Sequence, residues 1–522
     1  MSRAQTLDSG QPDSPIVVLD MGSQYAHLIV RKIRELKVYA ELLPHNITAK
    51  KLAKHTPRGI ILSGGPASVY APGSPTIDPK ILMEGTPVLG ICYGYQLMAQ
   101  ILGGRVQKTD KREYGATTIH IDDSTNILLG LAPQEKVWMS HGDKVITLPP
   151  SFKALAHTDS TPLAAAANSA SSLYGLQFHP EVAHTPRGNQ ILHNFIYGIC
   201  KAQPNWSLTG FIEQKTSELR NTLGHDKVLC ALSGGVDSSV TAALINRAIG
   251  DNLTCIFVDH GLLRKGEAEQ VDAVFQHRLG INLIHVEAKD RFLKRLEHAS
   301  NAEAKRRAIG REFIRVFEEE ASKLGGICWL AQGTLYPDVI ESAGTTGPAS
   351  RIKTHHNVGG LPRKMRLKLV EPLRLLYKDE VRQMGRLLGL PEEIVTRHPF
   401  PGPGLAVRIM GKVTPDKLLI SREASAIVEE ELKRSGLYDS VWQAFAVVGD
   451  DKWVGVKGDE RSLGYVVTIR LVQSLDAMTA DWVLVPRDVA DSMSNRITNE
   501  VPGVAMVAIA ISSKPPSTIE PC

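Results

Sequence analysis

Short apolar runs alternate along this chain with longer segments of helical period. Ile16-Val17-Val18-Leu19, Gly59-Ile60-Ile61-Leu62 and Val88-Leu89-Gly90-Ile91 are runs of buried-strand type, and Leu28 to Leu36 and Tyr95 to Leu102 carry helical spacing. That alternation predicts an α/β domain on a largely parallel sheet over residues 16–203. The stretch Lys201 to Trp206 reads as a linker. The pattern then restarts with strands Val228 to Leu232, Leu253 to Val258 and Ile327 to Ala331, a second α/β domain over 206–398. His398 to Gly404 is too rich in proline and glycine to be helix or strand. Beyond it lie a helix near Asp416 to Ser435 and β-type runs at Ser440 to Val448, Leu463 to Val472 and Val504 to Ile511. The predicted fold class is therefore α/β: two doubly wound parallel-sheet domains followed by a small α+β domain over 405–522, with 1–15 a flexible N-terminus.

Composition narrows the class of protein. A chain of 522 residues, 43% hydrophobic and 22% charged, is ordinary for a soluble globular protein and long enough for several cores. Its net charge of +5 is too small for this length to argue for nucleic acid or membrane. Local charge says more. From Arg351 to Lys378 eight basic residues face Glu371 alone, which suits a mobile lid over phosphates. The cysteines Cys92, Cys200, Cys230, Cys255, Cys328 and Cys522 form no Cys-x-x-Cys pair, so neither a disulfide framework nor a zinc knuckle is signalled. Met1 to Pro15 is polar, without the apolar core of a signal peptide, and no later run is long enough to span a bilayer. A reducing, cytoplasmic setting is expected.

Two motifs carry chemistry. Ser233-Gly234-Gly235-Val236-Asp237-Ser238-Ser239 follows the apolar strand Val228 to Leu232 and opens a helix rich in alanine and leucine. Glycines let backbone N–H groups close around an anion, serines add hydroxyl donors, and the helix dipole points at the same spot. The run lacks the Gly-Lys-Ser/Thr ending that places a lysine on a terminal phosphate. It resembles the signature of the N-type ATP pyrophosphatases, which implies a grip on the pyrophosphate part of ATP.

The second motif, Gly90-Ile91-Cys92-Tyr93-Gly94-Tyr95-Gln96, sets a cysteine between a buried strand and a helix, a sharp turn that exposes the sulfur beside free helix N–H groups. Phe178-His179-Pro180-Glu181, at the end of another strand, supplies a base and a carboxylate to orient it. These runs resemble the class I glutamine amidotransferases. The resemblance implies that Cys92 attacks the carboxamide of glutamine, His179 protonates the leaving ammonia and Glu181 holds His179. It also implies that Gly65, in Ser63-Gly64-Gly65-Pro66, and Tyr93 supply oxyanion donors, and that Gln96 helps seat glutamine.

Further runs extend the likeness across the chain: Phe257 to Arg264, Gln332 to Ser342, Ile352 to Pro362, Arg397 to Gly404, Arg496 to Glu500 and Lys514-Pro515-Pro516. Together they resemble the glutamine-hydrolysing GMP synthase family. That resemblance implies transfer of AMP from ATP to the C2 oxygen of xanthosine 5′-monophosphate (XMP), with magnesium, and displacement of AMP by ammonia. It assigns Ser233 to Ser239 and Val258 to ATP, Asp237 to magnesium, Lys353, His355 and His356 to the lid, and Arg306, Gln443, Lys514 and Glu520 to XMP. It also implies a homodimer formed through the third domain. The chain departs from the family near its end, with Met506 where relatives carry an arginine and Pro521-Cys522 where they carry Trp-Glu. Two other readings remain open on the residues: another amidating ligase with the same ATP loop, or a nucleotide-binding regulator.

Overall fold

The computed structural model describes residues 14–338, 367–457, 460–474 and 479–521, so the lid residues Lys353, His355 and His356 lie outside the described residues. The chain divides into two compact units, one ending at Phe211 and the other running from Ile212 onward.

The first unit is built on a nine-stranded sheet. β1 (Ile16–Asp20), β2 (Ala40–Pro44), β3 (Gly59–Leu62), β4 (Val88–Ile91) and β9 (Leu173–Leu176) are its parallel part, in the order β2-β1-β3-β4-β9. Val17, Leu19, Ile60, Leu62 and Val88 are buried on these strands, as continuous apolar runs require when both faces are covered. Beyond β9 the sheet turns antiparallel through β8 (Ala165–Asn168), β7 (Lys153–His157), β5 (Arg105–Ile121) and β6 (Gln134–Thr147). The sequence pattern identifies none of those four strands. β5 and β6 are polar and irregular, with register shifts after Arg105 and Lys108, so they carry no clean apolar run.

The second unit holds a wholly parallel five-stranded sheet, ordered β12-β11-β10-β13-β14. Its strands are β10 (Lys227–Leu232), β11 (Leu253–Asp259), β12 (Asn282–Glu287), β13 (Ile327–Ala331) and β14 (Lys368–Val370). The strand order reverses at β10, whose neighbours are β11 on one side and β13 on the other. In open α/β sheets such a switch point opens a crevice at the strand C-termini. The same unit continues into a smaller sheet in which β16 (Glu460–Gln473) is paired by β15 (Gln443–Lys457), β17 (Asp481–Trp482) and β18 (Val504–Ile509). The helices Pro415–Arg434 and Arg487–Glu500 accompany it; the second is not evident from the pattern. One hydrophobic core runs from Leu229 and Ile256 on the parallel sheet through Leu405 to Ile420, Val467 and Met493. Among the described residues no helix is long and apolar enough to cross a membrane.

Candidate active sites

β4 and β9 are parallel neighbours in register from Val88↔Leu173 to Ile91↔Leu176, so their C-terminal ends emerge side by side. Cys92 follows the first and His179 the second. Cys92 is the N-cap of the helix Tyr93–Ile101 and takes φ 51° and ψ −106°, a strained conformation for a residue with a Cβ. Its amide donates to the Leu176 carbonyl at 2.7 Å, tying the turn to β9. Gly94 is dictated by close approach, since a Cβ there would lie 2.3 Å from the Leu62 carbonyl oxygen. The result is a buried thiol at the N-terminal end of a helix, where free backbone N–H groups gather.

His179 Nδ1 pairs with Glu181 Oε1 at 2.7 Å, and both side chains are buried. Burial alone would lower the imidazole pKa. The Glu181 charge and hydrogen bonds to Cys92 and Glu181 reverse this and hold it well above its ordinary value, so the ring favours the charged form beside the sulfur. The edge of Tyr25 packs on the ring with centroids 5.3 Å apart. Around the sulfur, Gln177 Nε2 approaches Sγ at 3.7 Å and the Ser140 carbonyl lies 3.6 Å away. Gln96 is buried, and its Nε2 donates to the Asp143 carbonyl at 2.7 Å and to Gln177 Oε1 at 3.3 Å. A Cβ on Gly65 would lie 2.5 Å from the Met21 carbonyl oxygen and 3.4 Å from the ring of Tyr93, whose hydroxyl donates to the Pro75 carbonyl at 2.6 Å.

In the second unit, Ser233 to Ser239 join β10 to the helix Val236–Ile249, with Gly235 as its N-cap. The loop therefore sits at the switch point, on a helix N-terminus. Gly234 has φ +74°, which only glycine adopts without strain. Ser238 Oγ accepts from the Ser233 amide at 3.2 Å and donates to the Gly235 carbonyl at 3.0 Å, and Ser239 Oγ donates to that same carbonyl at 2.8 Å. The Gly234 carbonyl takes Arg397 Nη1 at 2.9 Å. Val258 lies buried near the C-terminal end of β11, the parallel neighbour of β10, and so at the same edge of the sheet. Asp237 Oδ2 pairs with Lys378 Nζ at 2.6 Å, while Oδ1 is buried with no hydrogen-bond partner among the described residues.

Of the residues assigned to XMP, the fold joins two directly. Gln443 Nε2 donates to Glu520 Oε1 at 2.7 Å and to the Pro399 carbonyl at 3.0 Å. Arg408, fully buried, pairs with Glu520 at 3.1 Å and stacks its guanidinium on Phe445 and Phe400, 4.2 and 4.9 Å from their ring centroids. Lys514 is held through its backbone by Ala480, N to O at 2.7 Å. Arg306 lies on the exposed face of the helix Ala302–Lys323. Sequence reasoning passed over Arg408 and counted Lys378 only as the last residue of a basic run, without its partner Asp237, because each acts across a large separation that no local spacing encodes.

A strained cysteine elbow with a His–Glu partner in one unit, and a lysine-free phosphate loop at a switch point in the other, define a glutamine amidotransferase fused to a nucleotide-activating α/β domain. Residues 17–199 match the family described as glutamine amidotransferase class-I, 207–313 that described as NAD synthase, and 430–521 the GMP synthase C terminal domain. The chain is 54% identical over 512 residues to the GMP synthase [glutamine-hydrolyzing] of Synechocystis sp., covering 97% of this chain and 94% of that one. It is 55% identical over 507 residues to the protein of the same name from Carboxydothermus hydrogenoformans (97% and 99% covered), and 53% identical to that of Prochlorococcus marinus, with both chains fully covered. The chain belongs to the glutamine-hydrolysing GMP synthase family.

Proposed function

We propose that this enzyme aminates XMP to GMP with ammonia from glutamine, at the expense of ATP, and that its two kinds of site divide the work. The reading rests above all on one observation, the presence on one chain of the Cys92–His179–Glu181 constellation and of the Ser233 to Ser239 cradle. In the amidotransferase domain, residues 16–203, Cys92 Sγ attacks the carboxamide carbon of glutamine with its proton already held by the His179 ring. The oxyanion is held by the N–H groups of Gly65 and Tyr93. Collapse expels ammonia, protonated by His179, and leaves a thioester that water hydrolyses to glutamate and free thiol. Glu181 keeps the imidazole in the orientation that serves both transfers.

In the synthetase domain, residues 206–398, the cradle binds the ATP phosphates and Val258 lies beside the nucleoside. The C2 oxygen of XMP attacks the α-phosphorus and pyrophosphate leaves. Ammonia then adds at C2 and AMP departs, a far better leaving group than the original oxygen. Lys353, His355 and His356 would close over the pyrophosphate. Gln443, Glu520, Lys514 and Arg306 would hold XMP, with Arg408 fixing Glu520. The unpartnered Oδ1 of Asp237 suits magnesium, a hard cation that takes one or two carboxylates and completes its shell with phosphate oxygens and water. When bound, magnesium offsets the negative charge on the departing pyrophosphate.

The C-terminal domain, residues 405–522, would form a homodimer in a cytoplasmic enzyme. Trp453, Val454, Val456 and Leu463 are large apolar side chains exposed on the β15–β16 hairpin, a patch that supports such an interface. Assaying AMP release with XMP, ATP and glutamine tests the whole reading: release that depends on all three is expected, and XMP-independent release, or none, would sink it.

A further inference from the structure

Glu113, on β5, pairs in register with His141 on β6. Its carboxylate accepts four side-chain hydrogen bonds: from His141 Nε2 at 3.1 Å, Thr158 Oγ1 at 3.0 Å, Thr161 Oγ1 at 2.6 Å and Ser160 Oγ. Burial alone would raise its pKa, but these donors hold it down at about 2. The anion thus gathers three segments, β5, β6 and the turn after β7, and Lys144 adds a strap from β6 to the Ser160 carbonyl at 2.6 Å.

What this hub fixes lies against the thiol. His141 is buried, and its preceding neighbour Ser140 presents the carbonyl that lies 3.6 Å from Cys92 Sγ. Two residues further on, the Asp143 carbonyl receives Gln96 Nε2 at 2.7 Å, and the Asp143 carboxylate receives the Tyr70 hydroxyl at 2.8 Å. The wall facing the nucleophile is therefore a short run of β6 whose middle residue is pinned by a carboxylate. No contact joins Glu113 itself to Cys92 or His179 among the described hydrogen bonds, so it is not a member of the proton-transfer set.

We propose that Glu113 is a positioning residue for glutamine: by holding His141 it sets the Ser140 to Asp143 segment at the distance from Cys92 and Gln96 that the bound amide substrate requires. The proposal rests on the reading of Cys92 as the glutamine nucleophile. Without the anion, the hydroxyls of Thr158, Ser160 and Thr161 lose their common acceptor and the segment loses its register over the sulfur. The effect falls on binding and orientation of glutamine, leaving the sulfur's intrinsic reactivity and the chemistry of the second unit alone.

The test uses the full-length enzyme and Glu113→Gln, a near-isosteric change that removes the charge. Glutamine-dependent and ammonium-dependent synthesis are measured side by side, together with inactivation by two thiol reagents, a glutamine-shaped diazoketone and iodoacetamide. The KM for glutamine is expected to rise about 10-fold or more, with a smaller loss in kcat. Diazoketone inactivation should slow by a similar factor, while iodoacetamide alkylation stays within about 2-fold, since a small reagent needs no positioned wall. Ammonium-dependent synthesis should be unchanged. Unchanged KM and diazoketone rates would overturn the proposal, as would equal slowing of both reagents, which would mark general damage to the fold. Should Glu113→Gln fold poorly, Thr161→Val removes one of the four donors and should give the same split on a smaller scale. Failure of the nucleophile reading is separately visible, because Cys92→Ala would then retain glutamine-dependent synthesis.

Discussion

Arg397 donates to the Gly234 carbonyl at 2.9 Å and to Glu267 Oε1 at 2.8 Å, so a largely buried cation holds the Ser233 to Ser239 loop from behind. A loop that is to bind an anion must turn its amides inward and its carbonyls away. A carbonyl already engaged by a guanidinium satisfies that condition before any ligand arrives. Burial lowers the Arg397 pKa although Glu267 opposes it, which marks the desolvation that this arrangement costs.

The division of labour between the two units predicts that Cys92→Ala abolishes GMP formation from glutamine and leaves formation from added ammonium largely intact. Only the first unit uses the thiol that sits at the helix N-cap. Steady-state rates with the two nitrogen donors decide it, and loss of both activities would refute the division.

Asp237→Ala should reduce synthesis from either nitrogen source by at least about 100-fold, since pyrophosphate charge must be handled whichever ammonia is used. It also leaves Lys378 without its partner at 2.6 Å. Glutamine hydrolysis measured alone should persist. Ammonium-dependent synthesis at the unmodified rate would show that this carboxylate has no part in ATP chemistry.

Arg408→Met should weaken XMP binding and destabilise the second unit by about 3 kcal/mol, the scale expected when one partner of a buried ion pair is removed. The guanidinium is fully buried between two rings, and Glu520 would lose its charged partner. Denaturant titration and an XMP titration check the two parts. A variant as stable as the parent would mean that water already satisfies Glu520.

Glu113 also makes a pH prediction. Its folded pKa of about 2 lies below the ordinary 4.5, so its contribution is complete above about pH 5 and is lost as pH falls through 4.5 toward 2. Allowing for solvent screening, the contribution is about 2 kcal/mol. The stability gap between the parent and Glu113→Gln should therefore shrink between about pH 5 and pH 3. A gap constant across that range would place the carboxyl outside the native network.

Met506, on β18 opposite Val466, is the position at which the family resemblance leads one to expect an arginine. Met506→Arg is expected to tighten XMP binding about 10- to 100-fold, the scale of a charge-assisted contact to phosphate, with ATP and glutamine constants little changed. Equal XMP affinity in the two proteins would show that the phosphate is held elsewhere.

By itself the sequence determined the parts whose physics is local. Uniform apolar runs such as Val88 to Ile91 and Val228 to Leu232 must be buried strands, and a cysteine or a glycine pair placed directly after them must sit at a strand's C-terminal end, where helix N–H groups point. Hence the placement of Cys92, His179, Glu181 and the Ser233 to Ser239 loop at strand ends was legible, and so was the alternation that implies parallel sheets. Tertiary structure alone decided what meets across the sheet. The adjacency of β4 and β9 brings His179 to Cys92, and the reversal of strand order at β10 opens the crevice at which the Ser233 to Ser239 loop sits. The polar strands β5 and β6 carry no apolar run, so the Glu113 hub they build could not be read from spacing. Arg408 with Glu520 and Lys378 with Asp237 are likewise contacts across more than a hundred residues, which burial and charge pairing select only once the chain has folded.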